Sequence, residues 1–423
     1  MRRLGCWRRC GVSSTSLAFL HIDINSYFAT LLQQETPALR GKPLAVVKEV
    51  DRTCIIAASK EAKMLGVKTG SSLIAVKKAV PQILVVPADF SLCWSATHRL
   101  KKLFESLTPS SELFSLDESF IHFAPLVRLY SSPLELAQKI RSEIFATLGE
   151  WVTCNIGIAR TRFLAKLASE TASPDSITEV FPDQEAVLLA RVICSDVCGI
   201  GYRLNKKLHA LDVHAPYQIN FIPQQDLERA VGIFWAQQLR LMAQGDEPLF
   251  LQRLAEPAKQ MKSVGRSITG WRLCNNEAMI KRTLYNLVAE VVHKIRRMHL
   301  AGRQVSLFIS GEDKHWSNFI TLKRHIWHTK ELFYWVYSHL YQQWRERFPV
   351  IKLAVRLSLL ESWYVVPQSL LPAWQKDESL AEACDTISSR YGLFAITSGI
   401  LARGHRIHPE VAGFLGDKQY QFL

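Results

Sequence analysis

The sequence predicts a multidomain protein of the α/β (α+β) class, on three observations. At 423 residues the chain exceeds what one hydrophobic core supports and suggests two to four domains. Between residues 17 and 180, apolar strand-like runs alternate with segments of helical periodicity, the pattern of an α/β sheet domain. From Ala258 to Leu357 the order reads strand–helix–strand–strand–helix–strand, and that segment holds 18 Lys and Arg against 6 Asp and Glu. Nearly all of the chain's net +14 charge therefore sits in one quarter of its length.

Residues 17–23 are an apolar run read as a buried strand, feeding a helix that carries Tyr27, Phe28, Leu31 and Leu32. Arg40-Gly41-Lys42-Pro43 is a turn. Strands are expected at 44–47 and 54–58, the second running into a short helix over 59–70 closed by Gly70. This basic module ends near Pro81–Pro87. A helix over 95–107 leads to an acidic strand at 115–121, and helix 134–148, strand 152–159 and helix 162–171 follow. In Asp196-Val197-Cys198-Gly199-Ile200-Gly201, two glycines precede Leu204, Leu208 and Leu211 at helical spacing. That describes a turn between helices, and with the bases that follow, a helix-hairpin-helix whose backbone N–H groups can meet a phosphate without reading sequence. In the basic segment, Ile280, Leu284, Leu287, Val288, Val291, Val292 and Ile295 form a core stripe. Strands are expected at 304–309, 318–323 and 352–358, with a helix over 329–347. Strand-borne Lys262, Arg266, Lys323 and Arg324 are candidate phosphate contacts.

Hydrophobic content of 48% and charged content of 21% are ordinary for a folded soluble protein. The basic excess favours a polyanionic partner. No apolar run is long enough to span a bilayer, and none follows the basic first ten residues as a signal peptide requires, so a cytoplasmic protein with no membrane partner is expected. Nine scattered cysteines without paired CxxC spacing argue against a disulfide framework or zinc ribbon and for a reducing compartment. His315, His325 and His328 lack acids or cysteines at metal-ligand spacing and are read as surface or nucleic-acid-facing residues.

Two segments carry the chemistry: His21-Ile22-Asp23-Ile24-Asn25-Ser26-Tyr27-Phe28 and Ser115-Leu116-Asp117-Glu118-Ser119-Phe120. Each sets acids inside apolar, strand-like sequence, where a carboxylate is costly unless something cationic neutralises it. Unrelated polar residues at two strand ends would also explain either segment alone. Together, Asp23, Asp117 and Glu118 invite divalent metal ions, and metal-held carboxylates are what phosphoryl transfer needs.

With these motifs the chain resembles the Y-family, or lesion-bypass, DNA polymerases over roughly residues 17–360. The resemblance rests on six segments in the family's order: 21–28, 60–70, 115–120, 157–168, 196–201 and 262–266. It implies a right-hand polymerase, with a palm at 17–26 and 93–180, fingers at 27–92, a helix-hairpin-helix thumb at 181–250 and a βαββαβ little finger at 258–362. Residues 1–16 and 363–423 would be extensions, the first disordered. Asp23, Asp117 and Glu118, with the backbone carbonyl of Ile24, fall on the positions that hold two Mg²⁺ ions. Phe28 falls where an aromatic ring meets the sugar, and Lys60, Lys63 and Lys166 would join it in binding the dNTP. Tyr27 belongs to the same set, although its position also suits packing. Gly199, Gly201, Lys206, Lys262, Arg266, Lys323 and Arg324 would contact primer-template DNA.

The chain departs from the family in three places. Lys60 and Lys63 stand where members often carry tyrosine and arginine, which removes a bidentate fork from the triphosphate site and leans toward the UmuC-like branch. Ser173 replaces a lysine, which Arg160, Arg162 or Lys166 would have to replace. The terminal Gln419-Tyr420-Gln421-Phe422-Leu423 resembles the short peptide by which bacterial polymerases dock on the sliding clamp. The implied activity is template-directed translesion synthesis, with accessory proteins as further partners. Two other readings stay open: a catalytically weak or inactive DNA-binding subunit of a lesion-bypass complex, and a different metal-dependent nucleotidyl enzyme such as a cyclase. The hairpin and the basic segment speak against the cyclase.

Overall fold

A computed structural model describes residues 17–48, 54–252, 261–367, 372–392 and 395–401. The chain separates into two compact units, the first ending at Pro257 and the second beginning at Ala258.

In the first unit, β1 (Phe19–Ile24) turns at Ser26, whose φ of 52° is left-handed, into α1 (Tyr27–Glu35). A small sheet follows, with β2 (Leu44–Val47) central between antiparallel β3 (Ile55–Ala58) and a later parallel strand. The helix expected over 59–70 is shorter. α2 (Lys60–Met64) is capped by the Ser59 hydroxyl, which accepts from Ala62 N–H, and Gly66 at φ 82° ends it. After α3 (Leu73–Ala79), β4 (Leu84–Pro87) completes the small sheet.

The chain then returns through α4 (Phe90–Leu107), which starts five residues earlier than periodicity suggests because Asp89 caps Leu92 N–H. β5 (Ser111–Leu113), β6 (Glu118–His122), α5 (Pro133–Leu148), β7 (Cys154–Ala159), α6 (Arg162–Thr171) and β8 (Ile177–Glu179) follow. The resulting five-stranded sheet has the order β5-β6-β1-β7-β8, so β1 is central. Strand alternation sends Leu20, Ile22 and Ile24 into a core with α4 and α5. On the other face α6 lies flush against the sheet at Gly157, where a β-carbon would overlap the carbonyl oxygen of Ala165.

The rest of the unit is helical: α7 (Glu185–Arg191), α8 (Tyr202–His209), α9 (Gln224–Val231), α10 (Ile233–Ala243) and α11 (Leu249–Gln252). A single 3-10 turn, Cys194–Asp196, precedes the glycine pair, so the hairpin's first limb is shorter than expected.

The second unit contains β9 (Ser263–Cys274), α12 (Glu277–Arg297), β10 (Leu300–Ser310), β11 (His315–Ile326), α13 (Thr329–Phe333), β12 (Val350–Ser362) and α14 (Pro372–Tyr391). Its sheet has the order β11-β10-β12-β9, all antiparallel. The predicted stripe on α12 packs on one face with Val305, Leu307, Val355 and Leu357. The helix expected over 329–347 is α-helical only to Phe333 and then adopts a π-helical register over Tyr334–Tyr341.

Candidate active site

The central sheet's pairing register assembles the site. Asp23, near the end of β1, lies opposite Glu118 on β6 and Asn155 on β7. Asp117 immediately precedes β6, and its carbonyl accepts the Ile24 N–H at 3.0 Å. Asn25 clamps the following turn, donating from Nδ2 to Thr153 Oγ1 at 3.1 Å and to Asn155 Oδ1 at 3.3 Å, while its backbone N–H reaches Thr153 O. Acids 94 residues apart in sequence thus share one sheet end because antiparallel register leaves them no alternative.

The electrostatics follow from burial. The Asp23 carboxyl is pushed up to about 8, first by desolvation and then by the neighbouring carboxylates of Glu118 and Asp117. Burial also raises Glu118, against the opposing charge of Lys166. Lys166 Nζ lies 2.8 Å from Glu118 Oε1 and 2.8 Å from Glu170 Oε1. Burial opposes its charge, but the two carboxylates outweigh that and hold the ammonium above its ordinary range. His21, two residues before Asp23 on the same strand face, is fully buried and pairs through Nδ1 with Ser169 Oγ at 2.6 Å. Desolvation and the charge of Lys166 hold it neutral well below its usual range.

The predicted ligands therefore gather at one sheet end but do not form a closed cage. Among the described residues no three His, Cys, Asp or Glu side chains are arranged to hold a metal. The Ser115 hydroxyl donates to Asp117 Oδ1, and Lys166 donates to Glu118 Oε1. The donor set nevertheless fits a hard divalent cation: carboxylate and carbonyl oxygens, with Asp23 raised by desolvation and then by the like charges of Glu118 and Asp117.

The surrounding residues divide the expected nucleotide set. Tyr27 is packing: its ring is buried and its hydroxyl bonds Cys93 O and Thr97 Oγ1, both at 2.7 Å. Phe28 is half-buried, its ring edge-on to Phe90 at 6.0 Å. Lys60 and Lys63 are exposed on one face of α2. Lys166 corrects the expectation of a triphosphate ligand: α6 presents it to the sheet, 4% exposed, as the counter-charge of Glu118. The two arginines expected to compensate for Ser173 are both engaged by acids. Arg160 is held by Glu185 and Asp246, and Arg162 by Glu112 and Glu247.

Of the expected DNA contacts, Gly201 caps α8 with nothing within 4 Å of where a β-carbon would stand, and Lys206 is exposed on the same helix. Gly199 has φ 95°, and a β-carbon there would meet the Phe250 ring at 2.8 Å, so its role is conformational. Lys262 and Lys323 are exposed. Arg266 is a correction. It shares a strand face with Val264 and Ile268, so the strand turns it toward α12, where its Nε donates to the Glu290 carboxylate and its side chain is 9% exposed. Arg324 is exposed but paired with Glu331 at 2.5 Å. His328 is likewise not a free surface residue: its Nε2 lies 3.0 Å from Glu378 of α14. Gln419–Leu423 lie outside the described residues.

Sequence reasoning missed Asn155, Glu170 and two bases, Lys352 and Arg356, which β12 pairs with Thr269 and Gly265 on the sheet face away from the helices. Asn155 had a visible signal, being a polar residue inside the buried run CNIGIA, as Asp23 is in its own strand. Glu170 lies four residues after Lys166, the spacing of a helical ion pair. Lys352 and Arg356 became legible only with the strand register.

Residues 22–170 match the model of the impB/mucB/samB family, and residues 261–369 match that of the impB/mucB/samB family C-terminal domain. A DNA polymerase IV of Pelotomaculum thermopropionicum is 29% identical over 387 residues, covering 89% of this chain and 94% of the relative. One from Oceanobacillus iheyensis is 27% identical over 391 residues, covering 89% and 90%. Among solved structures, a Dbh–Dpo4–Dbh chimera of Y-family DNA polymerases superimposes with a TM-score of 0.69 at 23% identity, over 82% of this chain and 99% of the chimera. A Dbh ternary complex aligns with a TM-score of 0.54, also at 23% identity.

Proposed function

The chain belongs to the impB/mucB/samB family, the DinB-like Y-family DNA polymerases, and from that premise we propose that it is a template-directed DNA polymerase performing translesion synthesis in the cytoplasm. In this reading a dNTP is joined to a primer 3′-hydroxyl on primer-template DNA. Residues 17–26 and 93–180 serve as palm, 27–92 as fingers, 181–250 as thumb and 258–362 as little finger. The observation that supports it most is the sheet end where Asp23, Asp117 and Glu118 meet, with Asp23 pushed up to about 8 by desolvation and then by its carboxylate neighbours. A carboxyl raised by desolvation beside two other acids favours a cation in the proton's place.

Two Mg²⁺ ions held by Asp23, Asp117, Glu118 and the Ile24 carbonyl would supply the positive charge that acidifies the primer hydroxyl and neutralises the triphosphate. The chain's own residues prepare that site. Lys166 fixes Glu118 through Oε1, and no side chain bonds Oε2 among the described residues. Asn25 and Asn155 lock the turn that carries the Ile24 carbonyl. Lys60 and Lys63 bring point charges to the triphosphate. The Phe28 ring, braced by Tyr27 and Phe90, stands as a plate against which a ribose 2′-hydroxyl would clash.

One observation favours a second reading, a catalytically weak DNA-binding subunit: Arg160, Arg162 and Lys166, the three bases expected to compensate for Ser173, are all committed to acids. Primer extension with Mg²⁺ and four dNTPs on intact and abasic templates, beside Asp117→Ala, separates the two. The polymerase reading expects extension that falls by roughly 10³-fold in the variant. Tight primer-template binding without extension by the parent chain would establish the subunit instead.

A further inference from the structure

Residues four apart on a helix lie on one face, so Glu170 comes beside Lys166 on α6. Its carboxylate meets the ammonium at 2.8 Å, the distance at which Lys166 also meets Glu118 from the sheet. Exposed pairs of this spacing contribute little to a protein. This one differs, because the Lys166 side chain is 5% exposed and its ammonium lies over the Phe114 ring, 5.1 Å from the centroid.

The last turn of α6 is pinned to the sheet. The Ser169 hydroxyl lies 2.6 Å from His21 Nδ1, and the Ser169 carbonyl accepts from Asn155 Nδ2 at 2.9 Å. Both partners adjoin Asp23: His21 stands two residues before it on β1, and Asn155 lies opposite it on β7. With Gly157 close beneath the helix, Lys166 is fixed against Glu118.

A fixed, buried ammonium works against an acid that is to hold a metal. Opposite charges in contact interact far more strongly in a low-dielectric surrounding than in water, so a lysine committed to Glu118 alone would cancel its charge. A second carboxylate at the same distance divides the ammonium. One cation between two anions leaves the trio at net −1. Glu118 is then oriented through Oε1 and still presents negative charge.

We propose that Glu170 is a positioning residue of the metal site: by sharing Lys166 it lets Glu118 be oriented without being neutralised. The proposal rests on the reading that Asp23, Asp117 and Glu118 hold divalent cations. It adds an acid outside that set, whose effect on metal affinity passes through Lys166.

The test is Mn²⁺ binding by the full chain without nucleotide or DNA, read from the electron paramagnetic resonance signal of the free ion. Glu170→Gln keeps the side chain's shape, and at 29% exposure it opens no cavity. It is expected to weaken Mn²⁺ binding by about fivefold. Glu170→Asp keeps the charge but is one methylene shorter, and should lose about threefold. In a Lys166→Met background, Glu170→Gln should change the affinity by less than about twofold, because no ammonium remains to be shared. Parent-like Mn²⁺ binding by Glu170→Gln, even with a lowered melting temperature, would make Glu170 merely structural and overturn the proposal. Parent-like binding by Glu170→Asp, or an equal loss from Glu170→Gln with and without Lys166, would reduce it to a distant charge and do the same. Asp117→Ala is the separate control: undiminished Mn²⁺ binding there would overturn the metal-site reading and the proposal with it.

Discussion

Gly157 lies so close beneath α6 that a β-carbon there would stand 2.6 Å from the backbone nitrogen of Ser169 and closer still to the carbonyl oxygen of Ala165. That approach brings the next inward residue of α6, Lys166, within hydrogen-bonding distance of Glu118. Gly157→Ala is therefore expected to lift α6, lowering stability by about 2 kcal/mol and loosening the Lys166–Glu118 pair. Thermal unfolding reads the first effect. An unchanged melting temperature would show that α6 shifts without cost.

The Asp23 carboxyl gives a pH signature. Its folded-state value of about 8 lies above the usual carboxylate value of 3.8, so between those limits the folded state binds more protons than the unfolded state. Stability from this group is complete below pH 3.8 and falls as pH rises through 8. In EDTA, Asp23→Asn should melt above the parent by a margin that grows from pH 4 to pH 8, and Mg²⁺ should close the margin by stabilising the parent alone. A constant margin across that range would remove Asp23 from a coupled acid site.

The two faces of the second unit's sheet separate phosphate contacts from internal bases. Lys323→Ala, and Arg356→Ala on the same open face, are expected to flatten the salt dependence of DNA binding by about one unit of slope each. Arg266→Ala should instead lower the melting temperature and leave the slope alone, because its partner Glu290 is 8% exposed and would be left without its guanidinium. A slope change from Arg266→Ala would place DNA on the helical face.

Phe28→Ala removes the half-buried ring at the start of α1. Incorporation of ribonucleotides relative to deoxynucleotides is expected to rise by at least tenfold, with deoxynucleotide insertion reduced far less. An unaltered ratio would assign sugar discrimination elsewhere.

α14 is held to its unit by charge. Arg296, whose side chain is 3% exposed, binds Asp385 at 2.6 Å and Glu378 at 2.9 Å, and Glu378 also accepts from Trp327 Nε1 at 2.7 Å. Arg296→Met is expected to destabilise the unit by about 2 kcal/mol and to expose residues 372–392 to limited proteolysis. Glu378→Gln, which can still accept hydrogen bonds, should do so more weakly. Equal resistance in all three proteins would mean that α14 is held by something other than these groups.

The sequence by itself determined the order of elements, the core stripe on α12 and the acids of the central sheet, because each leaves a local mark. Period and apolar content identify strands and helices, and a carboxylate inside an apolar strand announces a special environment wherever the strand lies. The tertiary structure decided which charges are available. Lys166, Arg160, Arg162 and Arg266 are bases in sequence, yet each faces an acid far along the chain. Lys352 and Arg356 come to the open face only through the register of β12 with β9. A long cation carries no local signal of its partner, since its charge is neutralised through space. Only the packing of α6 on the central sheet and of α12 on its own sheet shows which bases are left to meet a phosphate.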